Sequence, residues 1–275
     1  MSYKTLMAHL ELGRSNAGLL HITAALAKCF DAAVIGIASK HPAIIAYGDG
    51  SMGGAFVERD RDQIAEDIKV AEAAFRKALE GKVKALEWRS STSFEPLSDF
   101  LAFESRSADL LITGVTRDAL GEENGGLNAG DLLMQIGRPV LIVPRECASL
   151  SLDRMMIAWK DTPEMRRATL DALPMLKQAK QVTLVEVVEK ADVKRVRRGL
   201  DDLVIWLGAH GVPVTALAAT TEGDVADRLR QLAAEHKADL VIAGAYGHSR
   251  LREWALGGVT RDLLVRSDLC ALVSH

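Results

Sequence analysis

The feature that most narrows the fold is a repeat. Ala108-Asp109-Leu110-Leu111-Ile112-Thr113-Gly114 returns as Ala238-Asp239-Leu240-Val241-Ile242-Ala243-Gly244, 130 residues further on. The trio Asp131-Leu132-Leu133 answers Asp262-Leu263-Leu264 in the same way, and each trio precedes a short apolar stretch, 139–143 and 269–273. Chance likeness of two strands would not extend so far, and an internal duplication explains order and spacing together. Compact domains most often run to roughly 100–150 residues, so a chain of 275 residues divides naturally into two copies of one unit.

Each half alternates short apolar runs with helix-like segments. The runs are 5–10, 33–38, 83–88, 110–114 and 140–143 in the first half, and 155–159, 182–188, 212–218, 240–244 and 270–274 in the second. Between them, 64–79, 165–177 and 225–236 carry apolar residues at three- and four-residue intervals, the helical period. Strands that alternate with helices imply right-handed crossovers and a parallel sheet covered on both faces, and near-continuous apolar runs suit strands buried on both sides. The expectation is an α/β fold of two tandem five-stranded parallel sheets flanked by helices, Rossmann-like, with domains at 1–147 and 152–275 and a short polar linker at 147–153. The glycine-rich stretch 41–54 reads either as a loop over a pocket or as a plain surface insertion.

Composition excludes several function classes. A formal net charge of -3 offers no positive field for nucleic acid or an anionic membrane surface. The basic run Lys194, Arg195, Arg197 and Arg198 is flanked by Asp192, Asp201 and Asp202, which reads as a solvated helix face more readily than as a patch for an acidic partner. Cys29, Cys147 and Cys270 are far apart in sequence and odd in number, which argues against a disulfide framework. No signal-peptide pattern opens the chain and no apolar run approaches ~18 residues, so the protein is expected in the cytoplasm. The histidines show no metal-binding spacing.

The chemistry concentrates after the fourth strand of the second half. Gly244-Ala245-Tyr246-Gly247-His248-Ser249-Arg250-Leu251-Arg252-Glu253-Trp254-Ala255-Leu256-Gly257-Gly258-Val259-Thr260 is a G-x2-G-x9-G-G pattern that leaves a predicted strand and opens a helix. Open α/β sheets bind ligands at the carboxyl ends of their strands. Glycine lets a bulky anion approach backbone N–H groups, and a helix N-terminus with free amides favours a phosphate. Thr260 could add a hydroxyl donor there. A plain N-cap and tight turn remains the bland alternative. His248 and Tyr246 read as an exposed donor and a pocket wall, Arg250 and Arg252 as phosphate partners or solvated loop residues, and Trp254 and Leu256 as anchors of the loop.

With this loop and the repeat, the chain resembles the universal stress protein family, whose ATP-binding members carry G-x2-G-x9-G-[ST] after the fourth strand. The stretches Ile157-Ala158-Trp159-Lys160-Asp161-Thr162-Pro163-Glu164 and Asp171-Ala172-Leu173-Pro174 resemble its proteobacterial tandem members in particular. The resemblance implies an adenine nucleotide, ATP or AMP, with or without Mg2+, held by Gly244, Gly247, Ser249, Arg250, Gly257, Gly258, Val259 and Thr260, with Trp159, Lys160 and Asp161 at the end of the first strand near the nucleoside. It also implies two halves packed as a pseudo-dimer through their closing strands, 140–143 and 269–274, and it leaves homodimerisation of the whole chain open. Gly258 stands where the family has Ser or Thr, and Lys160 where it has an acidic residue.

The function expected is a stress-response or regulatory nucleotide-binding protein without fast catalysis, since no nucleophile has an adjacent base; a slow ATPase is compatible. A nucleotide-independent scaffold with a relic loop is the alternative. One nucleotide is expected per chain. In the N-terminal copy Arg117 replaces the second glycine, Leu127 replaces Gly258, and Glu122 and Glu123 bring negative charge to the phosphate position.

Overall fold

Runs such as Val140-Leu141-Ile142-Val143, buried at every position, form strands because β-branched and leucine side chains pack on both faces of a pleated sheet. The computed structural model describes residues 2–40, 53–92, 95–114, 127–188, 193–245 and 269–275. The N-terminal half contains β1 (Thr5–His9), α1 (Ala17–Phe30), β2 (Ala33–Ser39), α2 (Gly53–Leu79), β3 (Leu86–Ser91), α3 (Leu97–Glu104), β4 (Leu110–Gly114), α4 (Ala129–Gln135) and β5 (Val140–Val143). The C-terminal half contains β6 (Arg154–Ala158), α5 (Pro163–Leu176), β7 (Gln181–Val188), α6 (Val193–Ala209), β8 (Val214–Thr220), α7 (Val225–Glu235), β9 (Leu240–Gly244) and β10 (Cys270–Ser274).

All ten strands belong to one sheet, ordered β3-β2-β1-β4-β5-β10-β9-β6-β7-β8. The two halves therefore repeat the same strand order. Every neighbour pair within a half is parallel, and the halves meet where β5 and β10 run antiparallel, with Ile142 opposite Ala271, Leu141 opposite Leu272 and Val140 opposite Val273. The expectation of two sheets is refined by this junction. Each closing strand would otherwise leave an apolar edge with unpaired amides and carbonyls, and pairing the edges removes both liabilities. Because the junction is antiparallel, the carboxyl ends of the two sets of strands face opposite edges of the sheet.

The core forms two layers, and both run across the junction. One face packs Leu6, Ala8, Ile112 and Leu141 with Ile157, Leu184 and Leu272 beneath α1, α2, α5 and α6. The other packs Met7, Leu111 and Ile142 with Met156, Val241 and Val273 beneath α3, α4 and α7. Alternate residues of each strand feed alternate layers, as the period of two requires. Tyr3 adds a polar tie between halves: its hydroxyl donates to the Asp171 carbonyl of α5 at 2.6 Å, and its ring meets Phe30 edge-on.

Strand boundaries deviate from expectation at the two sheet edges, β3 and β8. Both begin later than the apolar runs 83–88 and 212–218 suggest. Val212 instead donates its N–H to the Leu207 carbonyl and finishes α6, while the half-exposed edge strands continue through polar residues such as Arg89 and Ser90. Gly53 and Gly54 open α2, and 41–52 of the glycine-rich stretch lie outside the described residues. The basic run falls on α6, with Lys194, Arg195, Arg197 and Arg198 on a helix as expected.

The three cysteines, scattered in sequence, are not all scattered in space. Cys147 and Cys270 bring their sulfurs to 3.5 Å as free thiols, and Cys29 is exposed on α1.

Candidate functional site

The strand order reverses direction between β6 and β9 in the C-terminal half and between β1 and β4 in the N-terminal half, and each reversal leaves a crevice at the carboxyl ends of those strands. The C-terminal crevice is entered by Gly244 and by the turn from β6 into α5. Of the residues expected there, Trp159, Lys160, Asp161 and Gly244 are described; Gly247, Ser249, Arg250, Gly257, Gly258, Val259 and Thr260 lie outside the described residues.

Local chemistry builds the turn. Thr162 accepts the Met165 N–H at 3.3 Å and caps α5, Pro163 supplies a fixed φ in the first turn, and Glu164 places a carboxylate near the positive end of the helix. Trp159 is 8% exposed and packs into the core layer below, so it is a wall and not a free side chain. Lys160 is exposed. Asp161 turns outward and pairs with Arg166 at 2.6 Å. The Gly244 amide lies 3.2 Å from Met165 Sδ, and a β-carbon on this glycine would collide with the first turn of α5. Its glycine identity is required by strand-to-helix packing, whatever ligand the loop accepts.

Two carboxylates escaped the sequence reading. Glu164 has one oxygen, Oε2, buried with no hydrogen-bond partner among the described residues. Glu186, on β7 beside the β6 turn, is half-buried; burial raises its carboxyl pKa, the Asp161 carboxylate raises it further, and Arg195 and Lys160 pull it down. A lone acid inside the apolar run 182–188 was the available signal. Glu164 gave none beyond its place in a first helical turn.

Strand register defines equivalent positions in the two crevices. Leu6 lies opposite Leu110 and Met155 opposite Leu240, so Glu11 corresponds to Lys160. In the N-terminal crevice the Glu11 carboxylate approaches Arg14 and Arg145 at 3.5 Å each and would stand 3.3 Å from a β-carbon on Gly114. Burial raises the Glu11 pKa, and Arg14 opposes that rise. Asn16 closes the turn by accepting the Glu11 N–H and donating to its carbonyl, both at 3.0 Å. The cavity among Glu11, Asn16, Gly114, Pro144 and Arg145 is ≈ 40 Å³, whereas ligand pockets run to about 300–1,000 Å³. Behind it, the buried His9 pairs with Thr113 at 2.9 Å. The N-terminus of α4 is closed as well, because the Asn128 side chain accepts from the amides of Gly130 and Asp131 at 3.0 and 3.2 Å. Arg117, Glu122 and Glu123 lie outside the described residues.

A larger cavity, ≈ 1130 Å³, opens between α1 and α2 along Leu20, Ala24, Val70, Ala71 and Ala74. Its walls are mainly apolar helix flanks, and it meets the strand-end crevice only at the turn from Glu11 to Ala17. Among the described residues no group of three or more His, Cys, Asp or Glu is placed to hold a metal, and no helix is long and apolar enough to cross a membrane.

A mostly parallel ten-stranded sheet, helices on both faces and a strand-end crevice in each repeat define a tandem Rossmann-like α/β protein. Residues 152–274, in the C-terminal half of the chain, match the Universal stress protein family. The whole chain shares its fold with a universal stress protein from Archaeoglobus fulgidus at 14% identity and a TM-score of 0.74, covering 98% of this chain and 95% of that one. A functionally unknown protein from Pseudomonas aeruginosa is similar at 11% identity and a TM-score of 0.57, covering 99% and 92%. At these identities the likeness is one of fold. Comparison with curated proteins finds no match.

Proposed function

We propose that this chain is a regulatory universal stress protein that binds one adenine nucleotide, ATP or AMP, in its C-terminal half, with domains at 1–147 and 152–275. The observation that carries the reading is the asymmetry between the copies. In the N-terminal copy Asn128 satisfies the first amides of α4 with its own side chain. The repeat aligns Asn128 with Val259, whose side chain carries no acceptor, and this difference in sequence favours a phosphate at the loop of the second copy. Gly247, Gly257 and Gly258 admit the anion, with Ser249, Arg250 and Thr260 as further donors.

The nucleoside end is supported by the carboxylates. A buried carboxylate oxygen without a partner carries a desolvation cost that a ligand hydroxyl relieves. Glu164 Oε2 meets that description beside Gly244, and Glu186 lies next to Lys160 and Asp161. Ribose hydroxyls are natural partners for such groups. Lys160 remains available to a phosphate, with or without Mg2+. Binding without fast turnover, a cytoplasmic site of action and homodimerisation of the whole chain belong to the same proposal.

The packing of Gly244 against α5 favours a second reading, a nucleotide-independent scaffold, since that glycine needs no ligand to explain it. Titration calorimetry with ATP and AMP separates the two. One site per chain, lost in Gly247→Val and Gly257→Val, is expected; two equivalent sites, or binding indifferent to both substitutions, overturns the assignment. No binding and no nucleotide-dependent rise in melting temperature leaves the scaffold.

A further inference from the structure

Cys147 and Cys270 are 123 residues apart in the chain, and the β5–β10 junction brings them together. Cys270 begins β10 next to Ala271, which pairs with Ile142. Beyond Val143 the chain turns at Pro144, whose carbonyl accepts the Cys147 N–H at 3.0 Å, and this turn carries the Cys147 sulfur back over the strand end. The sulfurs stop 3.5 Å apart. We propose that Cys147 and Cys270 are a peroxide-oxidised pair that closes into a disulfide across the junction of the two halves.

The two thiols differ in ways that assign their roles. Cys147 is partly exposed on the irregular segment between β5 and β6, and its thiol donates to the Ser149 carbonyl at 3.1 Å. Cys270 is buried in a strand held on both sides, by β5 and β9. Burial first, and the neighbouring Cys147 second, push the Cys270 thiol pKa well up, so it stays protonated while the pair is reduced. Peroxide therefore reaches Cys147. Its sulfur attacks one peroxide oxygen, the O–O bond breaks, and a sulfenic acid and one water result. The Cys270 sulfur then attacks the Cys147 sulfur; the S–O bond breaks, and the departing hydroxide takes the Cys270 proton and leaves as a second water. Both thiols are oxidised and one peroxide is reduced. A disulfide requires sulfurs about 2.05 Å apart, and the irregular segment around Cys147 can supply that movement while β10 stays in place.

The bond would staple the segment after β5, including Arg145 and its contact with Glu11, to the last strand of the other half. This chemistry does not depend on nucleotide binding.

The test treats the full chain with hydrogen peroxide and counts free thiols before and after. Two of three thiols should disappear, a non-reducing digest should contain residues 146–154 linked to 267–275, and dithiothreitol should reverse both changes. Cys29→Ser should leave the link intact, and Cys147→Ser, at a partly exposed position, should abolish it. In Cys270→Ser a dimedone-reactive sulfenic acid should accumulate on Cys147. Oxidation of Cys147 past sulfenic acid with Cys270 untouched, linkage through Cys29, or retention of all three thiols overturns the proposal.

Discussion

A β-carbon on Gly244 would lie 2.7 Å from the backbone nitrogen of Met165 and 2.9 Å from the carbonyl carbon of Glu164. Those atoms belong to the first turn of α5 and cannot rotate away as a side-chain tip can. Gly244→Ala should therefore destabilise the chain by roughly 1–3 kcal/mol, the usual penalty for overpacking. Urea unfolding measures it; an unchanged midpoint would show that α5 is not seated against β9 in this way.

Asn128 caps α4 with its side chain and aligns in the repeat with Val259, whose side chain has no acceptor. Val259→Asn should supply an internal acceptor that competes with the phosphate for the same amides. Loss of one charge-assisted hydrogen bond corresponds to ~10-fold weaker binding or more. Calorimetry on the folded variant is the measurement, and unchanged affinity would detach the phosphate from that helix terminus.

His9 is fully enclosed, and burial lowers its pKa to about 4. The unfolded chain holds this imidazole near 6.5. Between those values the unfolded state binds more protons than the folded state, so the contribution of neutral His9 is complete above about pH 6.5 and declines as pH falls toward 4. The full effect is of order 3 kcal/mol. Denaturant unfolding from pH 7 to 4.5 should show the loss, and His9→Gln should flatten that part of the profile.

The Tyr3 hydroxyl donates across the halves to the Asp171 carbonyl. Tyr3→Phe keeps the ring packed on Phe30 and removes only this bond, which should cost about 1 kcal/mol. A larger loss with a broadened transition would mean that the contact couples the unfolding of the two halves.

Much of this fold was legible because its signals are local. The run 110–114 returns at 240–244 with the same alternation of helix and strand around it, and the continuous apolar residues of the central strands mark their burial. The edge strands β3 and β8 were displaced in the reading because half-exposed strands admit polar residues, which blur the apolar signal. The helical period marks α5 from 165 onward, and the structure begins it at Pro163 behind the Thr162 cap. The surroundings of Asp161 were less legible: its place in sequence sets it beside the crevice, and its ion pair with Arg166 in α5 is seen only in the structure.

The sequence by itself determined that there are two copies of one α/β unit, that their central strands are buried, and that the glycine loop survives in one copy, since each depends on residue types within a few turns of chain. Only the tertiary structure decided how the copies meet. The antiparallel register of β5 and β10 turns the two crevices to opposite edges, lets both core layers cross the junction and sets Cys147 on Cys270. The approach of Glu186 to Lys160 and the close seat of Gly244 on α5 are of the same kind. Contacts between residues so distant in sequence are chosen by which edges pair and which side chains fill the space between them, a global balance of burial and hydrogen bonding that no local pattern encodes.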